Sequence, residues 1–362
     1  MRVVVDCHMV GQPAPGDAGN ARFHATVTRA MAASGAPSDE VIALFAHEAA
    51  RPLLAPFDPE DPASIRLAPV PAGNVARLGR RVPAILAEER PAGALFSYVA
   101  PMRAACPLVV VVHDASFQLY PQWFSRRDRA LIGALVPRAM ARAALVATVS
   151  ETSRRDIVAA FGLDPDGVVV IPNMPAPAFT PVERAAERVR ERFGLARYCL
   201  YVGDVHPRKN LPALAAALRR LGDRNLELAV VGRAGHRGRA IIAESGARWL
   251  GPQDDDALAD LYRGAAVTAY PSLYEGFGLP VIEAMACGSR VVAASRGAIP
   301  EVAGDAAILV EPEPEALAEG LAAALEPDTA DRLRAAGPAR AAAYGPRRTG
   351  EAAWAAFREA AG

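Results

Sequence analysis

Residues 270–288 read Tyr-Pro-Ser-Leu-Tyr-Glu-Gly-Phe-Gly-Leu-Pro-Val-Ile-Glu-Ala-Met-Ala-Cys-Gly, and they follow a short apolar run. The pattern predicts the end of a strand, then a glycine-containing turn and a short helix. Pro280 suits the first turn of a helix and Gly288 suits a C-terminal cap, so we predict the helix over residues 280–287. This strand–turn–helix unit sets the pattern for the rest of the chain.

The turn of this segment has the character of an anion-binding site. Backbone N–H groups at a helix start lack partners within the helix, and the helix dipole there favours an anion such as a diphosphate. The residues that supply these groups are Phe277, Gly278 and Leu279. Glycine at positions 276 and 278 lets the anion approach the backbone closely, so Gly276 belongs to the same predicted site.

Two carboxylates, Glu275 and Glu283, bracket this turn. Glu275 precedes the helix, and Glu283 is predicted in its first turn. Acidic groups beside a bound phosphate repel it unless they face neutral hydroxyl groups, so sugar and ribose hydroxyls are the predicted partners. Taken singly, Glu283 is also explained as a partner of the helix dipole, and Glu275 as a solvated loop charge. Their spacing and the two glycines together favour ligand binding.

Outside this segment, short β-branched runs alternate with amphipathic, alanine-rich segments along nearly the whole chain. This alternation is typical of parallel sheets with helical crossovers, so we predict an α/β fold. A proline-rich break over residues 172–181 interrupts it, because proline disfavours continuous helix and central strand. We therefore predict two Rossmann-like domains, residues 1–172 and 173–345. A helix within residues 346–362 is predicted to dock on the first domain through Trp354 and Phe357.

The strands are predicted in two groups, one in each domain. In the first domain they are Arg2–Val5, Val41–Phe45, Ile65–Val70, Ala94–Tyr98, Leu108–His113, Leu145–Val149 and Val168–Ile171. In the second domain they are Tyr198–Val202, Leu226–Val231, Arg248–Leu250, Val267–Tyr270, Arg290–Ala294 and Ala307–Val310.

The segment from Glu275 to Ala286 resembles the retaining GT-B glycosyltransferases of glycosyltransferase family 4, which includes many mannosyl- and glucosyltransferases. The hallmark of that family is a pair of glutamates separated by seven residues, as Glu275 and Glu283 are. The resemblance extends from about Asp6 to Pro312. It implies a GT-B fold, with two Rossmann-like domains facing each other across a cleft. It also implies that Glu275 contacts the transferred sugar and Glu283 the nucleotide ribose.

A second segment, Tyr201–Leu211, resembles the loop of this family that binds the donor phosphates. It joins a strand end to a basic turn that contains Arg208 and Lys209. These cations are predicted to neutralise the diphosphate as it leaves. Lys209 is the only lysine among 40 basic residues, which indicates that a compact ammonium matters there. The alternative is an ordinary basic helix start, and Asp204 departs from the arginine that some relatives carry at its position.

In the first domain, the apolar run Val109–Val112 leads into His113. The resemblance implies that His113 positions the transferred sugar, at the strand ends where open α/β sheets bind ligands. A strand-end histidine also has a purely structural interpretation. Gly16, Gly19 and Asn20 match the family's flexible glycine loop near the donor phosphates and the acceptor, so we predict Gly19 as a donor contact.

The triplet Asp254–Asp256 suggests a divalent metal site. It precedes an apolar-periodic helix, however, where acidic residues are normal N-terminal caps. GT-B relatives generally use positive groups and a helix terminus in place of a metal. We therefore expect no metal and no other cofactor, with the nucleotide sugar acting as a co-substrate.

Composition excludes several other classes of function. Lys+Arg and Asp+Glu both number 40, and this neutral balance predicts no nucleic-acid partner. The four cysteines lack paired spacing, which predicts free thiols in a reducing compartment. We find neither a signal-peptide pattern nor a run of about 18 apolar residues, so we expect a cytoplasmic protein. Three arginines after Trp123 and Phe124 form either a solvated helix start or a face for an anionic or lipid-linked acceptor at the inner membrane surface. They are Arg126, Arg127 and Arg129.

The sequence thus predicts a hexosyltransferase that takes mannose or glucose from a GDP- or UDP-linked donor and retains its anomeric configuration. The acceptor is a hydroxyl of a glycan, as in polysaccharide biosynthesis, of a lipid-linked molecule or of a small molecule. One alternative is a Rossmann-type oxidoreductase, although no GxGxxG turn follows the first strand. The other is a nucleotide-sugar-binding protein without catalytic activity, which transfer and donor-hydrolysis assays would separate from an enzyme.

Overall fold

The computed structural model describes residues 1–12 and 18–362. The described chain divides into two units, one formed by Met1–Met174 together with Tyr344–Gly362, and the other by Pro175–Ala343. The division thus falls after Met174, close to the predicted one after residue 172, and the C-terminal segment belongs to the first unit.

The first unit is built on a parallel sheet of apolar strands. These are β1 (Arg2–Asp6), β2 (Glu40–Phe45), β3 (Ser64–Pro69), β4 (Gly93–Ser97), β5 (Leu108–Val111), β6 (Leu145–Thr148) and β7 (Val168–Val170). Their order across the sheet is β3-β2-β1-β4-β5-β6-β7, and each neighbouring pair is parallel. The strands β5 and β6 are buried along their whole length because helices cover both faces of such a sheet.

The connecting helices of the first unit lie between these strands in the chain. They are α1 (Ala18–Ser34), α2 (Ala50–Leu53), α3 (Asn74–Ala76), α4 (Val82–Glu89), α5 (Ser116–Leu119), α6 (Arg126–Met140) and α7 (Glu151–Phe161). A π-helical turn at Arg77–Arg81 joins α3 to α4. Ser150 begins α7 by accepting a hydrogen bond from the Ser153 N–H, the usual way in which a serine caps a helix.

The second unit repeats the plan with a second parallel sheet. Its strands are β8 (Tyr198–Val202), β9 (Glu227–Val231), β10 (Arg248–Gly251), β11 (Val267–Tyr270), β12 (Val291–Ala294) and β13 (Ile308–Val310). Its helices are α8 (Ala185–Phe193), α9 (Leu211–Leu221), α10 (His236–Ser245), α11 (Asp255–Gly264), α12 (Leu279–Ala286), α13 (Ile299–Ala303), α14 (Pro314–Leu325) and α15 (Pro327–Ala342). The strand order is β10-β9-β8-β11-β12-β13. Every predicted strand is therefore present, with its ends within two residues of the prediction.

The last helix, α16 (Pro346–Ala361), returns to the first unit. It packs along α1, where the Trp354 Nε1–H donates to the Met31 carbonyl over 2.9 Å. Phe357 is fully buried beside it. The helix lies within the predicted residues 346–362, and both aromatic side chains that the prediction names are buried.

Each sheet has one place where the strand order reverses direction. In the first sheet it lies between β1 and β4, and in the second between β8 and β11. The loops that leave two adjacent strands at such a point diverge to opposite sides, which opens a crevice at the carboxyl ends of the strands. The loop after β8 carries Arg208 and Lys209, and the loop after β11 carries Glu275. Topology thus brings together two segments that the sequence singles out separately.

Candidate active site

The backbone at Glu275 is fixed by the segment that follows β12. The Ala298 N–H donates to the Glu275 carbonyl over 2.9 Å. Gly297 has a φ of +55°, and a Cβ there would lie 2.5 Å from the same carbonyl oxygen. Only glycine meets both requirements, because other residues avoid this φ and would collide with Glu275. The position of the Glu275 side chain therefore depends on a second loop of the same unit.

The basic loop after β8 forms a single 3₁₀ turn at Pro207–Lys209. The His206 side chain starts this turn by accepting a hydrogen bond from the Arg208 N–H. The Arg208 carbonyl accepts from the Leu273 N–H over 2.8 Å, which ties this turn to the loop after β11. The two loops are thus joined through their backbones before any side chain is considered.

The three predicted charged residues of this unit meet at the end of these loops. Lys209 Nζ lies 2.6 Å from Glu275 Oε1, and Arg208 Nη1 lies 3.9 Å from Glu275 Oε2. Only 13% of the Lys209 side chain and 9% of the Glu275 side chain are exposed. The structure therefore brings together residues that stand 66 positions apart in the chain, in a setting where water screens their charges weakly.

Burial and charge act in opposite directions on this pair. Burial alone would raise the pKa of Glu275, but Lys209 and then Arg208 outweigh it and hold that pKa at about 2. Burial lowers the pKa of Lys209, although the Glu275 carboxylate opposes this effect. At ordinary pH, Glu275 is therefore an ionised carboxylate that accepts hydrogen bonds and donates none.

Tyr270, the last residue of β11, also contacts the lysine. Its hydroxyl accepts a hydrogen bond from Lys209 Nζ over 2.7 Å, and Nζ lies 4.9 Å from the centre of its ring. The sequence motif contains Tyr270, but no property of the motif assigns it a role. Only the pairing of β8 with β11 reveals that its side chain and Lys209 meet.

The glycine-containing turn leads into α12 as predicted, with one correction. The helix begins at Leu279 rather than at Pro280, so Glu283 lies in its second turn and not in its first. Glu283 is 3% exposed and accepts a hydrogen bond from the Tyr262 hydroxyl of α11 over 3.3 Å. The helix-dipole interpretation of Glu283 is therefore weakened, because the dipole acts mainly on charges in the first turn.

The start of α12 has a backbone that glycine makes possible. Gly278 has a φ of +97°, a conformation that other residues rarely adopt. Gly276, Phe277 and Gly278 are buried, whereas Leu279 is partly exposed. The Leu279 N–H stands at the first helical position and has no acceptor within the helix. This part of the turn keeps the geometry expected of an anion-binding helix start.

The predicted site residue of the first unit, His113, follows β5 by two positions and is half-buried. Its Nε2 lies 3.1 Å from Asn20 Oδ1 and 3.4 Å from the Ser97 hydroxyl. Phe23 meets the imidazole edge-to-face, with ring centres 4.9 Å apart. Because an amide oxygen only accepts, Nε2 carries the hydrogen in this arrangement. The ring is therefore held in one orientation, with Nε2 as a donor.

A second histidine supports this arrangement from the interior. His24 Nε2 lies 2.7 Å from the Ser97 hydroxyl, so Ser97 stands between the two imidazoles. Burial lowers the pKa of His24 to about 3, although Asp6 opposes this effect, and the ring is neutral at ordinary pH. Sequence patterns do not select His24 or Ser97, because each looks like an isolated polar residue in its own element.

Gly19, the other site residue predicted in the first unit, lies in the first turn of α1 and is exposed. Asn20 follows it and is 6% exposed. Gly16, which the sequence places in the same turn, falls outside the described residues.

The aspartate triplet has the helix-capping role that its position predicts. The Asp254 side chain accepts a hydrogen bond from the Ala257 N–H over 2.8 Å at the start of α11. Among the described residues, no group of three or more His, Cys, Asp or Glu side chains is placed to hold a metal ion. The four cysteines are free thiols. No described helix combines the length and the apolar character that crossing a membrane requires.

Comparison with solved structures defines the class of this fold. Sucrose-phosphate synthase from Thermosynechococcus elongatus superposes with a TM-score of 0.74 at 21% identity, over 99% of this chain and 98% of that one. The Anabaena protein HepE, solved in complex with UDP-glucose, superposes with a TM-score of 0.68 at 20% identity, over 98% of this chain and 99% of that one. At these identities the likeness defines the fold alone. The fold is GT-B, as predicted.

Sequence comparison then gives the family. Residues 19–174 match the model described as Glycosyltransferase Family 4, and residues 196–327 match the one described as Glycosyl transferases group 1. O-antigen chain mannosyltransferase B of Escherichia coli is 32% identical over 228 residues, which are 56% of this chain and 57% of that protein. The chain thus spans about half the length of the curated relatives that it matches. It belongs to the glycosyltransferases that these two models describe, which confirms the predicted resemblance.

Proposed function

We propose that this protein is a retaining glycosyltransferase that transfers a hexose, mannose or glucose, from a nucleotide diphosphate sugar to an acceptor hydroxyl. The observation that carries the proposal is the Lys209–Glu275 pair, with Arg208 beside it, at the carboxyl ends of β8 and β11. Family membership supports transfer as the reaction. The mannosyltransferase name of the Escherichia coli relative and the UDP-glucose in the HepE structure support a hexose donor.

The charges of this cluster indicate which part of the donor each residue binds. Arg208 and Lys209 are cations that bind the oxygens of a diphosphate. Both interactions become stronger as negative charge builds on the leaving group. The N–H at the start of α12 adds a donor for the same group. Glu275 is ionised and accepts hydrogen bonds only, so its partners are hydroxyl groups of the transferred sugar.

Four further roles complete the proposed donor site. Glu283 takes the ribose hydroxyls, with the Tyr262 hydroxyl orienting its carboxylate. The turn through Gly276, Phe277 and Gly278 lets the diphosphate approach the start of α12. His113 positions the transferred sugar, and Gly19 contacts the donor from the first unit.

The state of Glu275 favours a same-face route over a double displacement. A carboxylate with a pKa of about 2 cannot protonate the leaving group, and a lysine at 2.6 Å weakens it as a nucleophile. In the proposed step, the bond from the anomeric carbon to the diphosphate breaks and a bond to the acceptor oxygen forms on the same face. The acceptor proton passes to the departing phosphate.

The two alternative functions receive less support. The GxGxxG turn that an oxidoreductase needs is missing after β1, and Rossmann-like units alone do not define a function. A nucleotide-sugar-binding protein without catalytic activity would keep the same cluster, so only an assay of transfer separates it from the enzyme. The donor base, GDP or UDP, and the acceptor class are the finer parts of the proposal.

Transfer from a panel of nucleotide sugars, with and without EDTA, tests the proposed function. We expect release of nucleoside diphosphate from GDP-mannose or UDP-glucose, and an α-linked product from the α-linked donor. Chelator should leave most turnover intact, because Arg208, Lys209 and the start of α12 supply the positive potential.

Three results would count against this account. A β-linked product would remove the retaining reaction. Loss of turnover in EDTA with recovery in Mg²⁺ or Mn²⁺ would require a metal, and the aspartates after Gln253 would need a new interpretation. Donor binding without any transfer would favour the inactive binding protein.

Replacing Lys209 tests its assignment to the donor diphosphate. We expect Lys209→Ala to lower kcat by about a hundredfold, the usual loss for a preorganised electrostatic contact, while the fold stays intact. We expect Lys209→Arg to remain impaired, because the ammonium occupies a space shared by Tyr270 and Glu275 that a planar fork does not fit. Steady-state kinetics and circular dichroism measure both effects.

A matched control removes a cation of the same unit away from the cluster. Arg220 pairs with Glu315 on the surface, so Arg220→Ala should leave kcat unchanged. Wild-type turnover in Lys209→Ala would contradict the diphosphate assignment and leave Lys209 as part of a structural ion pair.

We also propose that the protein works at the inner face of the membrane, where the start of α6 meets anionic lipid. Arg126, Arg127 and Arg129 are exposed, as is Leu131 one turn later. Such a face combines charge attraction with apolar contact. Changing the three arginines to serine should abolish binding to phosphatidylglycerol vesicles. The matched triple variant of exposed Arg219, Arg220 and Arg224 should bind normally, and failure of the wild type to bind would refute the proposal.

A further inference from the structure

The ammonium of Lys209 has two different acceptors. One is the charged Glu275 carboxylate at 2.6 Å, and the other is the neutral Tyr270 hydroxyl at 2.7 Å. An ammonium has three N–H donors, so these two bonds fix its direction and leave one donor for another oxygen. Within the described residues, the third donor has no protein acceptor at hydrogen-bond distance. The geometry is that of a cation held ready for a further ligand.

The two acceptors differ in what donor binding would do to them. Under the proposed function, sugar hydroxyls compete for the Glu275 carboxylate, so its bond to Lys209 weakens when the donor binds. The Tyr270 hydroxyl has no such competitor in that scheme. Tyr270 is 1% exposed and ends β11 within the sheet, so its ring cannot move away. It is the acceptor that stays with Lys209 throughout.

The charged and titratable groups around Lys209 come from both loops. Glu275 and Asp204 favour the ammonium form, whereas burial and Arg208 disfavour it. Burial, and secondarily Glu275, raises the pKa of Tyr270 well above its ordinary value, so the phenol stays neutral. A neutral phenol oxygen stabilises the charged lysine without adding a negative charge that would repel a diphosphate.

We propose that Tyr270 is a positioning residue of the donor site, whose hydroxyl keeps the Lys209 ammonium charged and aimed at the diphosphate when Glu275 turns to the sugar. The effect of Tyr270 on catalysis rests on the proposed function. Its hydrogen bond with Lys209 does not. Tyr270 acts through Lys209 and contacts no reacting atom.

The chain offers a matched control for this hydroxyl. Tyr201 lies on β8, the strand beside β11, and is fully buried like Tyr270. Its hydroxyl has no hydrogen-bond partner among the described residues. Tyr270→Phe and Tyr201→Phe each remove one buried hydroxyl and keep the ring, but only the first removes a bond to Lys209. Tyr270→Phe also keeps the contact between the ammonium and the ring face, so it removes only the hydroxyl, with its hydrogen bonds to Lys209 and Glu275.

The single lysine makes the ammonium directly observable. Lysine labelled with ¹³C at Cε gives one side-chain signal, that of Lys209, in a protein produced without a lysine-containing tag. We expect the titration midpoint of this signal to fall in Tyr270→Phe, because an acceptor that stabilises the charged form is lost. In Tyr201→Phe the midpoint should match the wild type.

Kinetics with UDP-glucose and GDP-mannose gives the catalytic readout. We expect Tyr270→Phe to lower kcat by about tenfold, with the basic limb of the pH profile moved to lower pH, because Lys209 loses its proton sooner. As the kinetic control, Tyr198→Phe removes a buried hydroxyl that donates to the Leu261 carbonyl at the other end of β8, and it should keep both kcat and the profile. In a Lys209→Met background, Tyr270→Phe should cause no additional loss, since the residue acts through the lysine.

An unchanged Lys209 midpoint in Tyr270→Phe would overturn the inference, as would equal falls in the two phenylalanine variants. If Tyr270→Phe lowers kcat as much in the Lys209→Met background as in the wild type, the inference is also overturned, because Tyr270 then acts independently of Lys209. If the wild type transfers no sugar, the proposed function fails on its own, and the titration still decides whether Tyr270 holds the ammonium.

Discussion

The buried pair between Lys209 and Glu275 is the interaction on which this site depends. Placing a lysine and a glutamate in an interior costs free energy, and the pair holds only if the geometry is good and the remaining hydrogen-bonding groups find partners. Here the Tyr270 hydroxyl accepts a hydrogen bond from the ammonium, and the Arg208 guanidinium adds a second positive charge 3.9 Å from the carboxylate. The pair is therefore better understood as a preorganised charge arrangement than as a source of stability. Such an arrangement needs no reorganisation when charge develops on a leaving group.

The rest of the second unit holds this pair in place. The loop after β12 fixes the Glu275 backbone through Gly297 and Ala298, and the Leu273–Arg208 hydrogen bond joins the two charged loops. The first unit has its own polar cluster at the carboxyl ends of its central strands. There His113 is held through Ser97 and Asn20, with a neutral His24 behind them. One unit thus holds fixed charges, and the other holds a histidine ring in one orientation.

Much of this was accessible from the sequence, because the relevant signals are local. Apolar runs bounded by turn residues predict each strand, and Asp254 ahead of an apolar-periodic helix predicts its capping role. The Glu275–Glu283 spacing lies within one strand–turn–helix unit, so it is visible without the fold. The helix α12 starts one residue before its predicted start, so Glu283 lies in the second turn, where it contacts Tyr262.

The sequence did not predict the contacts between distant segments of the chain. Tyr270 and Lys209 are 61 residues apart, and His24 and Ser97 are 73 apart. No periodicity links such pairs, because they meet only through the order of strands in each sheet. The single lysine signalled that Lys209 was unusual, but it did not name the partners of the ammonium.

Calorimetric titration of the wild-type protein with UDP, UMP, GDP and GMP tests the central claim most directly. If Lys209 and Arg208 hold the donor through its diphosphate, the preferred nucleoside diphosphate should bind at least about tenfold more tightly than its monophosphate, because the second phosphate gains charge-assisted hydrogen bonds. Equal affinity for the monophosphate and the diphosphate would contradict the assignment of this cluster to the donor diphosphate.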